Sequence, residues 1–224
     1  SLIHASTDII HDAYETGVDA REMLAKAEER VFRILDTKGD TQAKNIRDII
    51  LGCFARLDTR MQHKHGFGGI ETGFFEYDDK TGGLQNSELT ILAARPSMGK
   101  TALALNIVEH VAVDLQKPTL VISLEMAALE LGDRLLCARA HVNGLKMRNG
   151  NISEDDHYRL QKAAGELHAS PLFIDDSPTR NMTEIAAIAR RLKRQDSLDL
   201  VVIDYLQLIE PDNPRDPRQE QVSK

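Results

Sequence analysis

The stretch Ala94-Arg95-Pro96-Ser97-Met98-Gly99-Lys100-Thr101 follows a short apolar segment, Glu88–Ala93, and opens a helical pattern over Gly99–Gln116. A loop that ends in Gly-Lys-Thr between a strand and a helix is typical of the binding of nucleoside triphosphates. In such a loop, successive backbone N–H groups wrap the phosphates, and the helix N-terminus adds about half a positive charge. The sequence therefore predicts a P-loop at residues 94–101.

Each residue at the end of this loop has an expected task. Lys100 is expected to reach the β- and γ-phosphates, and the Thr101 hydroxyl is expected to ligate Mg²⁺. Gly99 keeps a Cβ away from the point where the phosphates approach. Ala94 occupies the position where the usual pattern has its first glycine, and because alanine is small we expect the loop to tolerate it. The alternative is a chance Gly-Lys-Thr at a helix start, which the following features disfavour.

An apolar strand that ends in a carboxylate, Leu200–Asp204, lies well downstream. This is the Walker B form, in which Asp204 holds the Mg²⁺ shell, usually through water. Many buried strands end in Asp, so the pattern alone is weak. Its position 104 residues after Lys100, with two predicted strands between, makes it considerably stronger.

Two further acidic segments follow predicted strands. Glu125 lies in Ser123-Leu124-Glu125-Met126 at the end of the second strand. Ligands gather beyond the carboxyl ends of parallel strands, where a carboxylate can polarise an attacking water. From the residues alone, a surface or capping glutamate is an equally good interpretation. For Asp175-Asp176, capping and loop geometry before Ser177-Pro178 is the favoured interpretation.

The predicted elements alternate between strand and helix after residue 88. Strands are predicted at Pro118–Ser123, Pro171–Ile174 and Leu200–Tyr205, and helices at Ala127–His141, from the cap Ser153 to Ala169, and at Thr183–Gln195. Uniformly apolar strands that alternate with helices indicate an α/β fold with a mostly parallel sheet covered on both faces.

The chain divides into three predicted regions: a helical N-terminal segment at 1–40, a linker helix with a Gly-rich linker at 41–68, and the α/β core at 69–224. One helix is expected over about Leu2–Tyr14 and a second after the cap Asp19. Thr41 is expected to cap a third helix, whose apolar stripe comprises Ile46, Ile49, Ile50, Cys53, Leu57 and Met61. Such narrow stripes predict docking on each other or on another subunit. A metal site at His63 and His65 is disfavoured because no Cys or carboxylate lies nearby at ligand spacing.

Composition limits the remaining function classes. The net charge of −7 argues against a basic coat for DNA and requires any nucleic-acid contact to be local. With aromatics at 4%, stacking on single-stranded bases is a disfavoured main mode. Cys53 and Cys137 are interpreted as buried free thiols in a reducing cytoplasm. The sequence contains no run of 18 apolar residues, so no membrane span is expected.

Candidate DNA contacts are Arg215 and Arg218, in the proline-rich stretch Pro211–Arg218. A loop at the end of a sheet strand is where a ring-shaped motor would reach a central strand. An ordinary mobile loop is an equally good interpretation. The basic run Arg190–Arg194 is more typical of a solvated helix face than of a DNA patch.

Several of these motifs together resemble the DnaB-type replicative helicases. They are Gly69-Ile70-Glu71-Thr72-Gly73-Phe74, Gly82-Gly83-Leu84, the loop from Ala93 to Thr101, Ser123-Leu124-Glu125-Met126 and Ile203-Asp204-Tyr205-Leu206-Gln207-Leu208. The stretch Ala27–Phe32 is similar to the segment that leads into the motor domain in that family. The P-loop is highly specific to the family, and the resemblance explains Ala94.

The resemblance implies a RecA-like fold in a homo-hexameric ring that unwinds duplex DNA 5′-to-3′. The ring would use ATP and Mg²⁺ at subunit interfaces, with single-stranded DNA at the fork, a primase and a helicase loader as partners in the bacterial cytoplasm. Glu125 matches the catalytic glutamate, Lys100 and Thr101 the phosphate and Mg²⁺ contacts, and Asp204 the Walker B acid. The third helix matches the segment that docks on a neighbouring subunit, and loops after the Walker B strand face the DNA channel.

In the family, more chain follows the position of Lys224, with a further central strand, a phosphate-sensing Gln and an arginine finger. That strand is expected between the P-loop strand and the Asp204 strand. Without it, the sheet is expected to have a gap at that position, with unpaired backbone groups. Turnover by these residues alone is expected to be slow, since an arginine finger typically supplies a factor of roughly 10³ or more. Two alternatives to the helicase remain: a RecA-like recombination or repair ATPase, and a nucleotide-binding assembly module without turnover.

Overall fold

The computed structural model describes residues 2–14, 23, 27, 45–48, 50–54, 68–178, 180–195 and 197–210. The elements in chain order are α1 (Leu2–Tyr14), α2 (Phe75–Thr81), α3 (Lys100–Glu109), a π-helical turn (His110–Asp114), β1 (Thr119–Ser123), α4 (Ala128–Ala140), α5 (Gly144–Arg148), α6 (Glu154–His168), β2 (Leu172–Asp175), α7 (Met182–Gln195), β3 (Leu200–Asp204) and a 3-10 turn (Leu206–Leu208). Residues 46–48 and 50–54 are also helical.

The sheet in this part of the chain has three parallel strands in the order β2-β1-β3. The register places Ile122 of β1 beside Asp175 of β2, and Ser123 beside Asp204 of β3. The central strand β1 is buried along its whole length. The predicted parallel α/β architecture is therefore confirmed, and the carboxyl ends of all three strands meet at one edge.

Both faces of the sheet carry a hydrophobic core, as predicted. Because side chains alternate along a strand, odd and even positions of β1 enter different cores. On one face Val121 packs with residues of α3 and α4, namely Leu105, Val108, Leu131 and Leu135. On the other face Leu120 and Ile122 pack with Leu124, Ile185 of α7 and Leu198. Because α3 is packed against the sheet, the orientation of the P-loop that precedes α3 is fixed relative to the strands.

A third core joins α6 to the end of α4 through Ala140, Val142, Leu160 and Ala163. The predicted cap Ser153 is confirmed: its hydroxyl accepts a hydrogen bond from the Asp156 backbone N–H, and Asp156 completes a capping box. Such reciprocal caps satisfy N–H groups that a helix start leaves free.

The predicted strand at Glu88–Ala93 is wrong. Residues 88–95 have no regular secondary structure and are exposed, with Leu89 82% and Ile91 67% accessible. A strand needs a neighbour to pair its backbone groups. Among the described residues none pairs with this segment, and β3 is an edge strand. The apolar pattern is typical of a strand, but the described residues include no neighbouring strand to pair with its backbone N–H and C=O groups.

Residues 69–84 form a compact unit that the sequence pattern did not predict. Ile70 and Leu84 form an antiparallel bridge that closes the segment around α2. Inside it the buried Asp78 carboxylate accepts hydrogen bonds from the Thr72 backbone N–H, at 3.0 Å from each oxygen, and from the Thr72 hydroxyl at 2.8 Å. A buried carboxylate is retained because these donors satisfy it.

Two glycines of this unit are required by close approaches. Gly73 has φ +85°, and a Cβ there would lie 2.8 Å from Cγ of His110, in the π-helical turn that follows α3. Gly83 has φ +79°, and a Cβ would lie 2.6 Å from the Ile70 carbonyl oxygen. Both positions combine a left-handed backbone with crowding that only glycine tolerates.

The N-terminal predictions are tested only in part. The first helix is confirmed as α1, and the described portion of the third helix exposes its apolar stripe at Ile46 and Ile50. Asp19, Thr41, Leu57, Met61 and the His63–His65 linker lie outside the described residues, and the boundaries at 40 and 68 stay predictions.

Both cysteines are free, but Cys53 is exposed, so its predicted burial is wrong; Cys137 is partly buried. The reason for the exposure of Cys53 is that the described residues provide no partner for the face of the 50–54 helix on which it lies. In the part of the chain that is described, every helix is too short or too polar to cross a membrane.

Candidate nucleotide-binding site

The predicted P-loop is an exposed turn that leads directly into α3. Residues 94–99 are exposed and turn at Pro96-Ser97, with the Met98 backbone N–H 3.3 Å from the Arg95 carbonyl oxygen. Ser97 (φ +64°) and Gly99 (φ +88°) are both left-handed. A Cβ at Gly99 would meet no atom within 4 Å, so the space beside the helix start is open. The glycine is needed for its φ, and the open space is available to a ligand.

Three predicted site residues meet at the end of β3. The Thr101 hydroxyl donates to Oδ2 of Asp204 at 2.6 Å, and Nζ of Lys100 lies 3.0 Å from Oδ1 of the same carboxylate. The Lys100 side chain is 29% exposed and that of Asp204 13%. The packing of α3 on the sheet brings together groups that are far apart in sequence, and the predicted convergence of the P-loop and the Walker B acid is observed.

The donors at this point suit a hard divalent cation. Mg²⁺ prefers oxygen ligands and is commonly bound by one or two protein oxygens together with substrate phosphates and waters. The Thr101 hydroxyl and the Asp204 carboxylate are such ligands, and they already touch each other. These residues therefore fit the metal.

Glu125 lies in a loop that is anchored on both sides. Before it, the Leu124 backbone N–H donates to the Asp204 carbonyl oxygen at 2.8 Å. After it, the Ser123 hydroxyl donates to the Met126 carbonyl oxygen at 2.7 Å and accepts from the Met126 N–H at 3.1 Å. The exposed Glu125 is thus held at the same sheet edge as Asp204. Sequence reasoning missed the anchoring role of Ser123, for which a hydroxyl residue at a strand end was the available signal.

The other acidic pair is structural, in agreement with the interpretation that the sequence favoured. Oδ2 of Asp176 accepts from the Ala128 backbone N–H at 2.7 Å, at the start of α4. Asp175 accepts from the Ser177 N–H at 3.0 Å and pairs with Arg180 at 3.0 Å. Burial acts to raise the pKa of Asp175, but the Ser177 hydrogen bonds and the Arg180 charge outweigh it and hold that pKa below its ordinary value.

We expect Asp175→Asn to lower the free energy of unfolding at pH 7 by about 1.5–3 kcal/mol, the range for hydrogen bonds to a charged group. Because the folded-state pKa is depressed, the stabilisation is present above the unfolded pKa of about 3.9 and is lost as pH falls through the folded value. Urea unfolding of Asp175→Asn and of the unchanged protein, from pH 7 down to acid pH, tests this. The control for the removal of a charge is Asp79→Asn, since Asp79 is exposed. A difference that does not shrink in acid would contradict it.

The basic run on α7 serves partly to hold the fold. Nζ of Lys193 donates to the Leu198 carbonyl oxygen at 2.6 Å, which ties the end of α7 to the start of β3. Arg190 and Arg194 also have interaction partners. Arg190, Arg191, Lys193 and Arg194 are all exposed, in agreement with the predicted solvated helix face. The proposed DNA contacts Arg215 and Arg218 lie outside the described residues and stay predictions.

Comparison with known proteins places this site in a family. The sequence profile described as "DnaB-like helicase C terminal domain" matches residues 69–224. The chain belongs to the DnaB-like helicase family. The resemblance drawn from the P-loop and its companion motifs is therefore confirmed. The family match includes every candidate site residue at the sheet edge.

Curated relatives of this DnaB-like chain are named as replicative helicases. It is 38% identical over 224 residues to the replicative DNA helicase DnaC of Bacillus subtilis, and 37% identical over 224 residues to the replicative DNA helicase DnaB of Geobacillus stearothermophilus. Both alignments cover 100% of this chain and 49% of the relative. The chain thus spans about half the length of the curated relatives it matches.

Solved structures show the same fold. One of them, described as an ATPase domain, superposes with a TM-score of 0.74 at 30% identity, covering 81% of this chain and 64% of that one. A DnaB-like replicative helicase, described together with its interactions with primase, superposes with a TM-score of 0.72 at 27% identity, covering 99% of this chain and 52% of that one. The predicted RecA-like architecture is confirmed by these likenesses.

Proposed function

We propose that this chain is the ATP-hydrolysing motor part of a replicative DNA helicase. The observation that carries the proposal is the convergence of Lys100 and Thr101, from the P-loop helix, on the carboxylate of Asp204. A phosphate-binding lysine and two oxygen ligands for Mg²⁺ then share one pocket at the sheet edge. The names of the relatives, which are replicative helicases, support the choice of this ATPase class.

In the proposed reaction the P-loop and Lys100 hold the triphosphate, and Thr101 and Asp204 hold Mg²⁺. The metal, when bound, neutralises charge on the phosphate oxygens. Asp204 now has Lys100 as its positive partner at 3.0 Å. When the site is occupied, the N–H groups of Lys100 would donate to the β- and γ-phosphates.

Glu125 is proposed to act on water. Its carboxylate would accept a hydrogen bond from the water that attacks the γ-phosphorus, and would take the proton as the new P–O bond forms and the bond to ADP breaks. The anchors at Leu124 and Met126 support this role, because they restrict the loop on both sides of Glu125. A catalytic carboxylate needs such restriction to stay near the attacking atom.

The partners are part of the same proposal. Family membership supports as proposed partners single-stranded DNA at the fork, the other subunits of a homo-hexameric ring, a primase and a helicase loader. The proposed site of action is the nucleoid in the bacterial cytoplasm. One structural neighbour is described together with its interactions with primase, which supports primase as a partner. Arg215 and Arg218 are the proposed DNA contacts.

The decisive experiment measures ATP hydrolysis and strand separation by the full-length protein, with and without single-stranded DNA. The helicase proposal expects Mg²⁺-dependent hydrolysis stimulated by single-stranded DNA, and unwinding of a forked duplex that carries a 5′ tail. ATP binding without turnover under these conditions would favour the assembly module. Strand exchange without unwinding would favour a recombination ATPase.

A further inference from the structure

The ring of Tyr205 lies against the ammonium group of Lys100. Nζ is 4.4 Å from the ring centroid, while Oδ1 of the preceding residue, Asp204, lies 3.0 Å from the same nitrogen. A cation within about 6 Å of a ring centroid, over its face, is attracted by the ring quadrupole. Two consecutive residues at the end of β3 therefore hold the P-loop lysine.

These two contacts leave one side of the lysine open. The side chain is 29% exposed, and a Cβ on the adjacent Gly99 would meet no atom within 4 Å. An ammonium group has three N–H donors, and a ring face engages it without demanding a particular donor. A phosphate that enters beside Gly99 can therefore take N–H groups of Lys100 while the ring stays in place. In contrast, the ion pair with Asp204 occupies one of the N–H donors of Lys100.

The backbone that carries the ring is tied to the rest of the fold. The Tyr205 carbonyl oxygen accepts from the Leu208 N–H at 3.1 Å, which starts the 3-10 turn. Just beyond this turn, the Glu210 N–H donates to the Arg180 carbonyl oxygen at 2.9 Å. This hydrogen bond holds the segment to the residues just before α7. Because these hydrogen bonds restrain the backbone on the C-terminal side of Tyr205, its ring can restrict the conformations of the flexible Lys100 side chain.

We propose that Tyr205 is a positioning residue for Lys100, whose ring contact orients the ammonium group toward the open side and strengthens triphosphate binding. The inference rests on the proposed function, because it takes ATP as the ligand of the P-loop. The ordering cost of a long side chain is met before the nucleotide arrives, and such preorganisation raises affinity.

Titration of the full chain with Mg²⁺ and a non-hydrolysable ATP analogue tests this. Tyr205→Leu is expected to weaken binding by roughly tenfold, the upper end of the cost of ordering one long side chain on binding. Tyr205→Phe keeps the ring and is expected to recover much of that loss. The matched control is Tyr158→Leu on α6, where the side chain is 68% exposed and the affinity should not change.

A graded series separates ring electrostatics from packing. Phenylalanine analogues with one, two and three fluorines at position 205 keep nearly the same shape but weaken the negative potential of the ring face. The logarithm of the dissociation constant should rise with each fluorine. A flat series, or a Tyr205→Leu protein that binds as tightly as the unchanged chain or more tightly, would overturn the inference.

The same titrations distinguish this inference from the proposed function. If the unchanged protein and Lys100→Ala bind the analogue equally, the nucleotide site itself is refuted. If only the unchanged protein binds and the fluorine series is flat, the site stands and the role of Tyr205 falls. Thermal unfolding of Tyr205→Leu identifies a folding defect, and in that case the fluorinated series decides.

Discussion

Replacement of Glu125 by Gln should lower the rate of ATP hydrolysis by a factor of about 10² to 10⁴, the usual contribution of a general base. Glutamine has nearly the same shape, but its amide cannot take the proton of the attacking water. The anchors around residue 125 are made by Ser123 and by backbone groups, so the loop keeps its place. Steady-state hydrolysis by the full-length protein, with single-stranded DNA present, measures the loss.

The control for this change is Glu130→Gln, an exposed carboxylate in the first turn of α4. Its removal costs only a small favourable interaction with the helix N-terminus. We expect its turnover to match that of the unchanged protein, whereas Glu125→Gln binds ATP but hydrolyses it slowly. Equal turnover in all three proteins would contradict the catalytic role and would leave Glu125 as a surface or capping residue.

Replacement of Lys100 by Ala should weaken ATP binding by roughly 10- to 150-fold, since one charged donor to phosphate is worth about 1.5–3 kcal/mol. The same change removes the ion pair with Asp204 at 3.0 Å. Asp204 keeps its hydrogen bond from the Thr101 hydroxyl, so the sheet edge should remain folded. Calorimetric titration with Mg·ATP measures the affinity, and thermal unfolding checks the fold.

Lys80→Ala serves as the matched control, because Lys80 is an exposed lysine in the last turn of α2, outside the P-loop. The affinity of this control for Mg·ATP should equal that of the unchanged protein. A dissociation constant for Lys100→Ala within about twofold of the control, where a loss of roughly 10- to 150-fold is expected, would mean that the lysine does not contact the phosphates.

The elements that were predicted well have local causes. Ser153 begins α6 through a capping box formed within four consecutive residues, so the sequence contains all the information required. The strands β1 and β3 are continuous apolar runs, and they were found nearly to the residue. The P-loop was found because its left-handed Gly99 and the following Lys100 form a short, specific pattern.

The errors have a non-local cause. The segment 88–93 has the composition of a strand, but a strand exists only where another segment supplies its hydrogen-bonding partners, and the described residues supply none. The short helix α2 was missed because the buried pair Thr72 and Asp78 closes its unit through side-chain hydrogen bonds that no periodicity reveals. Both cases depend on partners rather than on propensity.

Short motifs predicted the fold class and the roles of Lys100, Thr101 and Asp204, because phosphate binding requires a particular short run of residue types. The family and the catalytic role of Glu125 were predicted from the resemblance that several motifs carry together. The chain order did not reveal that one carboxylate, Asp204, holds both P-loop side chains, or that Tyr205 covers the lysine. Those facts arise when α3 packs on the sheet and β3 takes its place beside β1, since folding sets distances between groups about a hundred residues apart.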